Sequence, residues 1–120
     1  MLDQTKKFSL TYDSILIAAG GFGCSNIKDS DIFESWEKQD QINFQSALLG
    51  GHFATKLLNE QGLLMFTGAA AVFEGPVNFA YAYAMSKAAT HTLALQMAER
   101  TEIPESSTVV TILPKVIDSP

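Results

Sequence analysis

Basic charge, cysteine and long apolar runs are all scarce in this chain of 120 residues. Lys and Arg number 8 against 13 Asp and Glu, a net charge of −5, and no basic cluster stands out, which argues against nucleic acid as a partner. A single cysteine, Cys24, excludes an internal disulfide and fits a reducing compartment, the cytoplasm. No apolar run is long enough to span a bilayer, no signal peptide precedes the first strand, and neither repeats nor low-complexity tracts occur. His52 and His91 stand on different predicted helices with no cysteine or carboxylate at ligand spacing, so no metal site is expected. The first half also lacks a G-x-G-x-x-G turn. Gly20–Gly21–Phe22–Gly23 has the wrong spacing, which excludes a pyrophosphate cradle of that kind there.

What is present is an alternation of apolar strands and helical stretches. Three short runs read as strands at about Ser14–Ala18, Leu63–Thr67 and Thr108–Leu113. Each is apolar at consecutive positions, the mark of parallel strands covered on both faces. Between them lie a helical pattern from Trp36 to about Asn59 and another over Tyr81–Arg100. Asp31 with Glu34 is a fair start signal for the first, Phe44, Leu48, Gly51, Thr55 and Leu58 form its stripe, and Gly62 supplies its stop. Gly50–Gly51 inside a helix costs on the order of 1 kcal/mol per glycine, which points to a close neighbour, either the sheet or another backbone. Gly68–Ala69–Ala70–Ala71 reads as a small-residue loop. The fold class is therefore α/β, a partial doubly wound parallel sheet with both helices on one face, because successive crossovers share one hand. The opposite face has no covering layer in this chain, so the sequence is expected to be part of a larger protein.

The second helix carries the chemistry. Tyr83 and Lys87 are spaced i, i+4 and so share one face. A neighbouring cation is expected to lower the phenol from its usual pKa of about 10, making Tyr83 a proton donor or acceptor near neutral pH. In isolation such a pair is more often a surface aromatic and a solvated lysine, and its neighbours give it weight.

Those neighbours resemble the short-chain dehydrogenase/reductase family. Ala18–Ala19–Gly20–Gly21 matches the family's turn after its fourth strand, and Asn43 the position of its asparagine. Tyr83 and Lys87 match its tyrosine and lysine, and Pro114 with Val116, Ile117 and Ser119 its nicotinamide-contacting segment. Where the family has a serine before the tyrosine this chain has Ala70, a departure shared with the dihydropteridine reductases within the family. Those also resemble it in the glycine–aromatic turn, His52-x-Ala54-Thr55-Lys56 and the closing Leu113–Pro114 and Asp118–Ser119–Pro120. Lys115 stands where many relatives have glycine.

The resemblance implies the latter half of a Rossmann-like domain over residues 1–120, truncated at both ends, with the first three strands absent. It implies an NADH- or NADPH-dependent reduction of quinonoid dihydropteridine, a small pterin substrate. Tyr83, Lys87 and Asn43 are implied to be catalytic. Ala19, Gly20, Gly21, Lys87, Pro114, Val116 and Ser119 would touch the cofactor, and Phe22, Ala70 and Tyr83 the substrate. A homodimer through the Trp36–Asn59 and Tyr81–Arg100 helices is implied as well. Two alternatives stay open: another short-chain carbonyl reductase, which Ala70 disfavours, and an inactive chain that only dimerises.

Overall fold

The computed structural model describes residues 10–99 and 102–116. In chain order the elements are β1 (Tyr12–Ile17), α1 (Ile32–Gln39), a π-helical segment (Asp40–Gln45), α2 (Ser46–Leu57), β2 (Leu58–Thr67), α3 (Ala71–Glu74), α4 (Tyr81–Ala98) and β3 (Thr108–Ile112). The strands form one parallel sheet in the order β1-β2-β3. Ser14 pairs with Leu63 and Leu63 with Thr108, so the strands run level and end together at Ile17, Thr67 and Ile112.

The alternation of side chains along a strand divides the sheet into two faces. Ile15, Ile17, Leu64, Phe66 and Val109 face the helices, where they meet Ala47 and Ala54 of α2 and Ala94 of α4 in one core. Leu64 and Phe66 are fully buried, each worth about 1.5–3 kcal/mol of apolar transfer. Among the described residues the opposite face is open, with Leu16, Val110 and Ile112 exposed on it. No helix of the described residues is long and apolar enough to cross a membrane.

Three boundaries differ from the sequence-based expectation. The first helical run begins at Ile32, directly after the Asp31 start signal and ahead of the Trp36 periodic pattern, and is broken by the π-helical turn, where the ladder widens by one residue. It ends at Leu57, and Leu58 and Asn59 already belong to β2, as does Gly62, which therefore does not stop the helix. Ala71, read as the end of the small-residue loop, opens a short helix, Ala71–Glu74. The neighbours of Gly50 and Gly51 are also settled: a Cβ on Gly50 would lie 2.4 Å from Ile17 Cδ1, and one on Gly51 2.8 Å from Met97 Sδ. These glycines let α2 press onto side chains of β1 and α4 within the same chain.

Candidate active site

The level strand ends bring three loops to one edge. Residues 18–24 leave β1, 68–70 leave β2 and 113–116 leave β3, all from carboxyl ends, where open α/β sheets bind ligands. Helix α4 passes beneath them. Its start is fixed by a distant residue: the Ser25 hydroxyl accepts from the Ala82 N–H at 3.0 Å, and the Ser25 carbonyl accepts from the Tyr81 N–H at 3.1 Å. These bonds satisfy helix-start donors that have no partner within the helix.

Asn43 locks the first loop. Its Oδ1 accepts from the Gly21 N–H at 2.9 Å, and its Nδ2 lies within 3.0 Å of the Gly21 carbonyl, Gln39 Oε1 and Ser86 Oγ. The Ser86 hydroxyl in turn donates to the Tyr83 carbonyl at 2.8 Å. Asn43 is only 2% exposed, and its amide is fully engaged by the protein. Gly20 permits this approach, because a Cβ there would stand 2.8 Å from Asn43 Oδ1 and 3.1 Å from Lys87 Nζ.

Lys87 is 4% exposed and donates to the Thr67 carbonyl at 2.9 Å. Burial pushes its pKa below the ordinary lysine value. An ammonium has three N–H donors, so two remain for a ligand beside the exposed Ala18–Gly20 backbone. Tyr83 is half-buried against Phe22, edge to face at 5.0 Å. The expectation that Lys87 lowers the Tyr83 pKa is overturned: burial raises it, and the lysine is committed to Thr67. The phenol is therefore held protonated at neutral pH.

The remaining predicted positions divide. Phe22 is 59% exposed, and Phe79, which sequence reasoning missed, stands 6.4 Å from it. The Ala70 N–H donates to the Pro114 carbonyl at 3.1 Å, joining the second and third loops. Lys115 forms an exposed ion pair with Glu74 at 2.5 Å, which raises its pKa through that bond. Ala19 and Val116 are exposed at the same edge, and Ser119 lies outside the described residues. Gln39, Ser86 and Ser25 were also missed; a serine capping a helix 57 positions away leaves no local signal. Among the described residues no three histidine, cysteine or carboxylate side chains converge. A groove of about 780 Å³ lined by Phe44, Leu48, Leu49 and His52 holds none of these residues.

No family model matches the sequence. The chain is 32% identical over 121 aligned positions to a dihydropteridine reductase of Dictyostelium discoideum, an alignment covering 100% of this chain and 52% of that protein. It thus spans about half the length of that curated relative. Among solved structures, a short-chain dehydrogenase family protein from Francisella tularensis superimposes with a TM-score of 0.77 at 28% identity, covering 98% of this chain and 46% of that one. A short-chain dehydrogenase/reductase from Serratia marcescens gives 0.78 at 24%, with coverage of 94% and 50%. BdcA in complex with NADPH gives 0.80 at 23%, with coverage of 98% and 47%.

Proposed function

We propose that this chain, whose fold is that of the short-chain dehydrogenase/reductases, forms the proton-delivering and nicotinamide-binding side of a dihydropteridine reductase. The observation that carries this reading is the meeting of Tyr83, Lys87 and the Asn43-locked Gly20–Gly21 turn at one sheet edge, where the Gly68–Ala69–Ala70 loop carries no side-chain hydroxyl. The relative named dihydropteridine reductase and the neighbour holding NADPH support it.

A reduced nicotinamide, NADH or NADPH, would supply the hydride. The free donors of Lys87 would hold its ribose, and the backbone of Ala19, Gly20, Gly21, Pro114 and Val116 would border it. Ser119 is assigned to the same border by resemblance alone. Tyr83, kept protonated by burial, is the proton donor. Asn43 acts by holding the turn and the start of α4 together. The oxidised pterin takes hydride into a conjugated ring and needs no clamp on a ketone, which suits Ala70. Phe22 offers an exposed aromatic face for that ring. The same reading makes the protein a cytoplasmic homodimer through the outer faces of α2 and α4, where Leu48 and Leu49 lie exposed along the groove.

Oxidation of NADH and of NADPH by the full-length protein, with dihydropteridine and with a simple ketone in parallel, tests the proposal. Turnover of the pterin alone, little changed in Ala70→Ser, is the expected result. Preference for the ketone would make the protein a carbonyl reductase. Loss of neither nucleotide with either substrate, in a protein that still dimerises, would make it a non-catalytic chain.

A further inference from the structure

Two side chains one turn apart on α4 grip the end of β2 from neighbouring positions. Lys87 Nζ donates to the Thr67 carbonyl at 2.9 Å, and His91 Nε2 accepts from the Ala69 N–H at 3.0 Å. Gly68 lies between them. A Cβ there would stand 2.1 Å from His91 Nε2 and 2.6 Å from Cδ2, so the imidazole occupies the space a side chain would need. His91 is 7% exposed, and its ring stacks on Phe73 of α3 at 4.8 Å and 5°. On the other side the Gly68 N–H donates to the Ile112 carbonyl at 2.9 Å and the Ala70 N–H to Pro114. The loop bearing Ala70 is thus held between β3 and one histidine.

The hydrogen bond fixes the tautomer. A nitrogen that accepts cannot carry a proton, so a neutral ring has its hydrogen on Nδ1. Nδ1 is buried and without a partner. Protonation would set an Nε2–H against the Ala69 N–H, replacing attraction with donor–donor repulsion. It would also place a second cation one turn from Lys87.

We propose that His91 is a positioning residue of the reductase: its neutral Nδ1–H imidazole fixes the Gly68–Ala69–Ala70 loop on α4, and protonation releases that loop. The role rests on the reductase reading. The surrounding charges agree with it. Lys87, on the same helix, is the cation that faces the ring. Helix α3, whose Phe73 covers it, carries Glu74, which is paired with Lys115 beyond β3. The adjoining strand ends present Gly68 and Thr111, which do not titrate. Burial and the Lys87 charge both push His91 below the ordinary histidine value.

The test compares the full-length protein with His91→Gln and His91→Leu. A glutamine oxygen can still accept from the Ala69 N–H and does not titrate. Turnover of dihydropteridine by the parent should fall on the acid side with loss of one proton-dependent group. His91→Gln should keep the neutral rate within about threefold and lack that fall, and His91→Leu should lose about tenfold or more in kcat at every pH, with little change in nucleotide affinity. Two readouts need no activity. Nitrogen NMR of the parent should show the Nδ1–H tautomer, and the Ala69 amide should lose exchange protection as His91 titrates, but not in His91→Gln. An Nε2–H tautomer, unchanged Ala69 protection, or an acid fall that survives in His91→Gln overturns the proposal. Absence of any pterin turnover sinks the reductase reading, and the NMR outcomes then still decide whether His91 holds the loop.

Discussion

Asn43 and Gly21 exchange a reciprocal pair of hydrogen bonds across 22 positions, N–H to Oδ1 at 2.9 Å and Nδ2 to carbonyl at 3.0 Å. The side chain imitates a neighbouring strand and completes a loop that has none. The π-helical turn from which Asn43 projects is the irregularity that serves this contact.

Asn43→Ala should therefore cost both stability and activity. It strands the Gly21 N–H and its partners in a buried place, a loss of about 2–3 kcal/mol. Urea denaturation and steady-state rates measured on the same preparation check this. A variant that loses rate at full stability would give Asn43 a direct role on the substrate instead.

Tyr83→Phe retains the ring that meets Phe22 and removes only the hydroxyl. Turnover should drop roughly 10²–10⁴-fold with the nucleotide dissociation constant nearly unchanged. Because burial raises the Tyr83 pKa, no basic limb from this phenol is expected below a pH of about 10. Rates within a few-fold of the parent, with chemistry shown to limit turnover, would remove Tyr83 from the mechanism.

Ser25→Ala tests the remote cap. Losing the bond to the Ala82 N–H should destabilise the protein by about 1 kcal/mol and loosen the first turn of α4, which contains Tyr83. Faster amide exchange at Ala82, set beside an unaltered rate at the far end of α4, is the expected pattern.

Stability should also fall in mild acid. The folded protein holds His91 with a lowered pKa, so below about pH 6.5 the unfolded chain binds the extra proton more readily. The contribution of a neutral His91 is complete above that value and is lost as pH falls through its folded pKa. Denaturation midpoints at pH 7.5 and 5.5 should differ more in the parent than in His91→Gln.

Much of this was legible in the residues. Consecutive apolar positions announced parallel strands, and the i, i+4 spacing of Tyr83 and Lys87 placed them on one face. Leu58 misled, since it extends the helical stripe of Leu48, Gly51 and Thr55 yet lies in β2. Periodicity also cannot register the single extra residue of a π turn or a helix as short as Ala71–Glu74. In the site, spacing suggested that the ammonium serves the phenol, whereas a free carbonyl at Thr67 claimed it. Gln39, Ser86, Ser25 and His91 act through partners between 3 and 57 positions away, and nothing in their immediate neighbours marks them.

The level strand ends have a consequence for synthesis. The second loop is closed only when Gly68 finds the Ile112 carbonyl and Ala70 that of Pro114, each 44 positions further along. Parallel strands joined by crossovers must wait for distant segments before they pair. At about 5–20 residues per second, a ribosome that has just released α4 needs about 1–3 seconds more to deliver β3. For that interval Tyr83 and Lys87 exist on a helix whose facing loop has no third strand to rest on. A pause in translation there would lengthen the life of an unfinished sheet edge at β2, the species a chaperone would meet.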